Sequence, residues 1–154
     1  MSQVERKLAD MELALPTAGA PAGSYVPTVQ TGNLVFVSGQ ISVDADGAMI
    51  IGRCGENMGV EEGQAAAERC ALMILAQLKA AIGDLDKVSR VVKLNGFVNS
   101  APGFGDHPKV INGASDLMVK VFGDKGKHAR AAVGVANLPF GVAVEVEAIF
   151  EVVS

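Results

Sequence analysis

The stretch that decides the fold is KHARAAVGVANLPFGVAVEVEAIFE, residues 127–151. It begins with a short apolar run that contains one arginine, Arg130, and it continues through a turn at residues 137–141. A longer apolar run follows, in which carboxylates stand at alternate positions, Glu145 and Glu147. A period of two is the pattern of a β-strand with one buried face. The stretch therefore predicts two strands joined by a turn.

Arg130 and Glu145 are the candidate catalytic residues of this stretch. A guanidinium holds a carboxylate through two parallel hydrogen bonds, and a glutamate that a hairpin brings near it can handle a water molecule or a proton. Together they predict a site for a small organic acid. The residues alone leave two other interpretations open. Arg130 could pair with an acid of a neighbouring subunit, and the glutamates could be the solvated side of an antiparallel sheet.

The composition predicts one domain without a membrane span or a basic surface. The chain has 154 residues, a net charge of −4 and no tryptophan, and its mean hydropathy is +0.32. Because nucleic-acid-binding proteins usually carry a basic patch, a nucleic-acid partner is not expected. No apolar run approaches the roughly 20 residues of a membrane helix, and the charged N-terminal segment lacks the pattern of a secretory signal. We expect a cytoplasmic protein whose surplus apolar surface lies in subunit contacts.

The cysteines and histidines predict neither a disulfide nor a metal site. Cys54 and Cys70 share no motif spacing, so we expect two free thiols. His107 and His128 have no Cys, His or acid at ligand spacing in the sequence. We therefore expect no metal, and the chemistry proposed below requires no organic cofactor.

The periodicity of the apolar residues predicts an N-terminal helix, two long helices and several strands. The N-terminal helix covers Val4–Leu15 and leads into a Pro/Gly/Ala linker at 16–23. The further predicted elements are strands at 25–29 and 34–43, an irregular segment at 48–59, a helix at 61–82, a strand at 88–98, a helix at 108–122 and last strands at 130–135 and 142–153. The order is strand pair, helix, strand, helix, strand pair, which predicts an α+β fold of two layers.

Both faces of the second predicted strand are apolar. Leu34 and Phe36 lie on one face, and Val35 and Val37 lie on the other. The last strand divides differently, with valines on one face and glutamates mainly on the other. Two helices cover only one face of such a sheet, so the second apolar face predicts a contact with another subunit.

Five motifs resemble the YjgF/RidA family, which is also named endoribonuclease L-PSP or translation initiation inhibitor. They are TGNLVFVSGQ at 31–40, GFVNSAPGF at 96–104, INGASDLM at 111–118, HARAAVGVANLP at 128–139 and VEVEAI at 144–149. The likeness covers most of the chain after the N-terminal linker. The chain resembles a longer subgroup of the family, with an N-terminal helix and an extra segment before the long helix.

The resemblance implies a single domain over 1–154, with an N-terminal helix and linker at 1–23 and a core at 24–154. It implies a chorismate-mutase-like two-layer sandwich, in which a mixed sheet carries two main helices on one face. It also implies a homotrimer whose sheets form a central barrel, with sites in the clefts between neighbouring subunits. The best-known members of the family hydrolyse 2-aminoacrylate-type enamines and imines to 2-keto acids and ammonia, without a cofactor.

The resemblance also assigns roles to residues of this chain. Arg130 matches the arginine that clamps the substrate carboxylate, and Glu145 matches the glutamate that positions or activates water. The substrate-binding positions that it implies are Tyr25, Ser38, Gly39, Asn112 and Ala132. The hypothesis is that the guanidinium and the carboxylate meet across a pocket built from two protomers. Side chains that point to opposite sides of the sheet are the outcome expected to overturn it.

The substrate-binding positions differ in what they are expected to contribute. Tyr25, within GSYVP, matches a tyrosine that closes over the ligand, and packing alone is the other interpretation. Asn112 matches an asparagine on the pocket side of the second helix, and a helix-surface amide is the other interpretation. Ala132 stands where many members have cysteine, so only its backbone is available to a ligand. Ser42 replaces a frequent proline.

Three functions follow from these observations as alternatives. The first is a cofactor-free deaminase of 2-imino acids. The second is a module that binds or senses small carboxylates without turnover. The third is an endoribonuclease or translation inhibitor, against which the scattered basic residues weigh. The segment at 48–59 is longer than in the short deaminases and is expected to reshape the cleft.

Overall fold

The computed structural model describes residues 1–21 and 23–153. Its helices and strands are α1 (Gln3–Asp10), β1 (Thr28–Thr31), β2 (Leu34–Ile41), α2 (Val60–Ile82), β3 (Val88–Asn99), α3 (His107–Phe122), β4 (Ala129–Val135) and β5 (Val144–Val152). The predicted positions of the two long helices and of the other four strands are confirmed to within two residues, whereas the first strand lies at Thr28–Thr31 rather than at 25–29. The element order follows the predicted α+β pattern, but the pairing of the last two strands does not.

The five strands form one mixed sheet in the order β1-β2-β5-β3-β4. β4 runs parallel to β3, and all other neighbours are antiparallel. The predicted hairpin between the last two strands is therefore wrong, because β3 lies between β4 and β5. The inner face of β5 is buried along its length, which favours the centre of the sheet. β4 consists mainly of small residues that are exposed or half-buried, which suits an edge.

Helices α2 and α3 pack on one face of the sheet, which we call the inner face. Side chains on this face, such as Leu94 and Phe150, are fully buried. The division of β2 follows the prediction: Val35 is 0% exposed on the inner face, whereas Phe36 is 40% exposed on the other. The helices therefore cover one face only, as predicted from the two apolar faces of this strand.

The outer face of the sheet carries apolar side chains that nothing in the described chain covers. Val29 pairs with Phe36 across β1 and β2, and Phe36 pairs with Ile149 of β5. At the far edge, Val133 pairs with Phe97. Val29, Phe36 and Val133 are exposed, and the other two are half-buried. An apolar surface of this kind is characteristic of a contact with another molecule.

The N-terminal helix is shorter than predicted. α1 ends at Asp10 rather than near Leu15, since Glu12 has a φ of 59°. A residue in this left-handed region commonly terminates a helix. The predicted linker follows, and its Ala22 lies outside the described residues.

α1 is attached firmly to the rest of the fold. Val4 and Leu8 are 3% and 1% exposed and belong to the core. The carboxylate of Asp86 accepts a hydrogen bond from the backbone N–H of Gln3 at 2.9 Å. A carboxylate at this end also suits the helix dipole. Helix α1 is therefore packed into the hydrophobic core of the domain.

Close contact between α2 and α3 generates a stability prediction. Gly113 of α3 lies so near the backbone of Gln64 that a Cβ would fall on the carbonyl oxygen. Gly113→Ala gains about 1 kcal/mol of helix propensity, but forced overpacking costs about 1–3 kcal/mol, and backbone atoms yield less than a flexible side chain. We expect a net loss in the free energy of unfolding, measured by urea denaturation at fixed protein concentration.

The matched control is Gly105→Ala. Nothing lies within 4 Å of a Cβ built at Gly105, so its effect is expected within about 0.5 kcal/mol of zero. A Gly113→Ala protein as stable as the wild type would contradict the close helix contact.

Candidate functional site

A cavity of about 470 Å³ opens beside Glu145, where β2 extends beyond the end of β1. Its walls come from β2, α2, β5 and the N-terminal segment. The lining includes Tyr25, Gly39, Met73, Gln77, Glu145 and the segment Gly19–Pro21. Three of the residues that the sequence singles out, Tyr25, Gly39 and Glu145, are thus brought together in one place.

Gly39 makes room for the Glu145 side chain. The pairing of β2 with β5 shifts between Val37 and Gln40, so the backbone is irregular in the strand segment that holds Gly39. A Cβ at this glycine would fall on the Glu145 carboxylate. The position of the carboxylate therefore depends on glycine at residue 39.

Ser38 acts on the segment that carries Tyr25. Its hydroxyl donates a hydrogen bond to the Val26 carbonyl at 2.8 Å, and its backbone N–H donates to the Pro27 carbonyl at 2.9 Å. Tyr25 itself is 53% exposed and lines the cavity. Sequence reasoning assigns Ser38 to ligand contact, whereas in this structure its hydroxyl fastens the segment that leads to the tyrosine.

The environment of Glu145 favours its protonated form. Burial raises the pKa of Glu145 above the ordinary value of 4.5, and the negative charge of Glu147 raises it further. A carboxyl group with a raised pKa gains and releases protons closer to neutral pH. By linkage, the stability that this group contributes is fully present below pH 4.5 and is lost as the pH rises through the folded-state pKa.

Arg130 lies on the inner face of the sheet, at the edge strand β4. It pairs in register with Leu94, whose side chain is buried beneath the helices. One guanidinium nitrogen, Nη1, donates to Asn112 Oδ1 at 2.7 Å and to Ser115 Oγ at 3.2 Å. Among the described residues, Arg130 forms no ion pair. Asn112 is therefore neither a free surface amide nor aimed at the cavity beside Glu145, because it holds the guanidinium.

Arg130 and Glu145 point to opposite sides of the sheet. Arg130 faces α3, whereas Glu145 lies on the outer face with its register partner Phe97. This result contradicts the pair predicted from a hairpin, and it is the outcome that was expected to overturn a shared pocket. That expectation assumed that both groups must lie on one face of the sheet, which holds within one chain but not for groups from two different subunits. The physical reason is the insertion of β3 between their strands. A single chain holds the two groups in separate places, so it cannot present both to one ligand.

Ala132 shares the inner face with Arg130. It pairs with Gly96 and is half-buried against the core. β4 is the edge strand of the sheet, so among the described residues one side of its backbone has no strand neighbour. Ala132 therefore lies on the same strand face as Arg130, two positions along β4, and on the face opposite to Glu145.

Sequence reasoning missed Ser115 and His128, which the structure places beside Arg130. Ser115 Oγ lies 2.8 Å from His128 Nε2. Two signals were present in the sequence. His128 stands two positions before Arg130, which places both on one face of a strand. Ser115 follows Asn112 by three positions, which places both on one face of a helix.

Sequence reasoning also missed a structural role of Arg53. Its guanidinium donates to the carbonyls of Ser100 at 3.2 Å and Ala136 at 2.9 Å. It thereby ties the segment at 48–59 to the ends of β3 and β4. This segment therefore does not lie over the Glu145 cavity, of which it lines no part among the described residues.

The remaining reactive groups are structural. Cys54 and Cys70 are free, as predicted, and both are buried. Burial raises the pKa of both thiols, which disfavours the reactive thiolate form. Among residues 1–21 and 23–153, no cluster of three His, Cys, Asp or Glu side chains could hold a metal ion. Within the same residues, no helix is long and apolar enough to span a bilayer.

The electrostatics of Glu145 can be tested directly. Glu147→Gln removes a negative charge that raises the pKa of Glu145, so this pKa should fall towards 4.5. Glu151→Gln is the control, because Glu151 is exposed on the same strand face and does not contribute to the shift. The measurement is an NMR titration of carbon-labelled glutamate side chains. A wild-type Glu145 pKa at or below 4.5 would contradict the description of the site.

Known proteins share this fold over nearly the whole chain. The family model "YjgF/chorismate_mutase-like, putative endoribonuclease" matches residues 5–150. The crystal structure of Atu1372 from Agrobacterium tumefaciens, a protein of unknown function, has a TM-score of 0.92 at 47% identity, covering 98% of this chain and 93% of its own. The match agrees with the expected chorismate-mutase-like fold.

Two further relatives have informative names. The 2-iminobutanoate/2-iminopropanoate deaminase of Dermatophagoides farinae is 34% identical, covering 89% of this chain and 92% of the relative. The crystal structure of E. coli TdcF with bound serine has a TM-score of 0.64 at 27% identity, covering 89% and 94% of the two chains. On the family match and these identities, the chain belongs to the YjgF/RidA family.

Proposed function

We propose that this protein hydrolyses reactive 2-imino acids and their enamine tautomers to 2-keto acids and ammonia, at clefts between the subunits of a homotrimer. The observation that carries the proposal is the separation of two complementary half-sites. Glu145 lies on the outer face of the central strand β5 and lines the cavity, and Arg130, without an ion-pair partner in the described chain, lies on the inner face of the edge strand β4.

The separation requires an assembly of a particular kind. The surface around Arg130 on β4 differs from the surface around the Glu145 cavity, so joining them is a heterologous contact. Heterologous contacts form a closed ring when the rotation between subunits closes, and the family resemblance implies a ring of three whose sheets form a central barrel. The exposed apolar side chains Phe36 and Val133 on the outer face supply surface for such contacts.

In this assembly, Arg130 of one subunit holds the carboxylate of the substrate and orients its imine carbon towards Glu145 of the next. An enamine first takes a proton on its terminal carbon and becomes the iminium. A water molecule then adds to the imine carbon, a C–O bond forms, and Glu145 accepts the released proton. Glu145 returns this proton to the nitrogen, the C–N bond breaks, and the hydroxyl proton leaves with the ammonia as ammonium.

For this reaction the protein needs to supply only orientation of the substrate and proton transfer. The imine carbon is already electrophilic, so the addition of water needs neither an electron acceptor nor a second substrate. The raised pKa of Glu145 suits a group that accepts a proton and then returns it. The reaction therefore needs only the Arg130 and Glu145 side chains and the backbone groups of β4 near Ala132, in line with the cofactor-free deaminases that the resemblance implies.

The relatives support a small carboxylic acid as ligand. A relative from Dermatophagoides farinae is named for the deamination of 2-iminobutanoate and 2-iminopropanoate, and TdcF is a structure with bound serine. All three molecules are small and carry a carboxylate beside a nitrogen-bearing carbon. A carboxylate-binding module without turnover and a ribonuclease remain the outcomes that the test below must separate from deamination.

The test uses two inactive variants that complement each other. Arg130→Ala and Glu145→Gln should each abolish the loss of a 2-imino acid that an amino-acid oxidase makes in situ, as measured by semicarbazide trapping. When the two variants are unfolded and refolded together at equal amounts, about a quarter of the subunit contacts join an intact Arg130 to an intact Glu145. Activity should return to about that fraction.

The control is Glu151→Gln, which should retain full activity because this exposed residue lines no part of the cavity. Wild-type protein that removes the imine no faster than buffer would overturn the deaminase. Calorimetric binding of pyruvate without turnover would then select the binding module, and RNA cleavage that persists through repurification would select the ribonuclease. Mixed variants that stay inactive would overturn the shared site.

The N-terminal segment forms part of the wall of the cavity. Gln77 of α2 is 4% exposed, and its side-chain amide donates to the Gly19 carbonyl at 2.7 Å. Residues Gly19–Pro21 and Met73 form this part of the wall. Because the wall is mostly apolar and the cavity measures about 470 Å³, we propose that it accepts imino acids with an apolar side chain and limits their length.

Loosening this wall should change selectivity more than activity. Gln77→Leu keeps the volume but removes the donor, so discrimination between the imino acids of leucine and alanine in kcat/KM should fall several-fold. Gln64→Leu is the matched control. Gln64 lies on the same helix as Gln77, and its side-chain amide donates to the Lys109 carbonyl of α3 at 2.8 Å, away from the cavity. Equal effects of both substitutions would contradict a role of the wall in selectivity.

A further inference from the structure

Three hydrogen bonds run in series from Arg130 through Ser115 and His128 to a backbone carbonyl, and a fourth joins Arg130 to Asn112. The Arg130 Nη1 donates to Asn112 Oδ1 at 2.7 Å and to Ser115 Oγ at 3.2 Å. Ser115 Oγ lies 2.8 Å from His128 Nε2. On the other side of the imidazole ring, His128 Nδ1 lies 2.6 Å from the Gly126 carbonyl oxygen. This series links the end of β4, the middle of α3 and the turn between them.

The direction of each bond follows from the Gly126 carbonyl, which can only accept. His128 Nδ1 must therefore carry a proton, and in the neutral ring Nε2 is then an acceptor. The single hydroxyl proton of Ser115 is directed to Nε2, so the lone pairs of its oxygen are left for Arg130. The histidine tautomer thus makes Ser115 an acceptor for the guanidinium.

The turn that carries Gly126 is held against α3. Gly126 is buried, and a Cβ at this position would fall on the backbone of Met118. The carbonyl that fixes the His128 tautomer is therefore placed by close backbone packing. Ser115 is 9% exposed, so water has little access to replace its bonds.

The series leaves one edge of the guanidinium free. Both protons of Nη1 are used by Asn112 and Ser115, and within the described residues no partner is recorded for Nε or Nη2. These two nitrogens form the edge that grips a carboxylate with parallel hydrogen bonds. Because both partners of Nη1 are neutral, the charge of the guanidinium stays uncompensated within the described chain.

We infer that Ser115 and His128 are positioning residues that orient Arg130 for a ligand carboxylate. The inference rests on the proposed function only in taking Arg130 as the carboxylate-binding group. An acidic partner in place of Ser115 would compete with the ligand for the guanidinium, whereas an oriented hydroxyl fixes the arginine and leaves its charge to the ligand. The histidine acts through the serine and does not touch the ligand.

The test compares a charged ligand with a neutral one of the same shape. Calorimetry should show that Ser115→Ala and His128→Phe each weaken binding of pyruvate about tenfold, the effect of losing one hydrogen bond to a charged group. Binding of pyruvamide, which lacks the carboxylate charge, should change little. The ratio of the two affinities therefore falls, which a general loss of stability would not produce.

Matched variants complete the experiment. Ser115→Thr keeps the hydroxyl, and His128→Gln keeps a side-chain acceptor. Each should therefore retain most of the wild-type preference for pyruvate over pyruvamide. His107→Phe is the control, since His107 bonds Ser100 elsewhere at 3.1 Å. Nitrogen NMR of wild-type His128 should show the neutral ring protonated at Nδ1.

The outcomes separate the inference from the proposed function. Pyruvate binding that requires Ser115 and His128, without any imine hydrolysis, would support the inference and overturn the deaminase. If the wild-type protein hydrolyses imines while the Ser115→Ala and His128→Phe proteins keep the full preference for pyruvate, the inference alone is overturned. A wild-type protein that binds pyruvate no better than pyruvamide, or a His128 protonated at Nε2 only, would also overturn the inference.

Discussion

The central position of β5 is the constraint on which the rest of the structure depends. β5 pairs with β2 on one side and β3 on the other, and its inner side chains lie beneath the helices. Because side chains alternate along a strand, burial of Val144 and Val146 fixes Glu145 on the outer face. A slip of one residue would bring the carboxylate into the core and expose the valines. The face of the sheet on which the carboxylate lies is therefore fixed by the packing of the core.

The same alternation fixes Arg130 on the other side of the sheet. It shares the inner face with Leu94, and α3 supplies its partners. One chain thus carries a carboxylate and a guanidinium that cannot reach a common ligand. In the proposed assembly each subunit contributes Arg130 to one cleft and Glu145 to another. Catalysis would therefore depend on association of the subunits. The apolar outer face supplies a driving force for that association.

The two half-sites are also matched in charge. Glu145 is partly desolvated and stands near Glu147, which raises its pKa, and the guanidinium of Arg130 has neutral partners. Neither residue belongs to the ion pairs of the described chain. An internal ion pair would satisfy either group and weaken its interaction with a ligand. Neither group is neutralised by an ion pair within the described chain. Close packing against Gly39 positions Glu145, and hydrogen bonds to neutral side chains position Arg130.

The sequence by itself determined the helices, the strands, the buried face of each strand and the family, because apolar periodicity and short motifs are local properties. Only the resemblance predicted that Tyr25, Gly39 and Glu145 lie together, as they do around one cavity. The sequence did not determine that β4 pairs with β3, since alternation shows which face is buried and not which strand is the neighbour. The tertiary structure alone decided that Arg130 and Glu145 lie on opposite faces and that Ser115 and His128 hold the arginine. Those relations depend on how the whole sheet packs against its helices, and no local pattern encodes that packing.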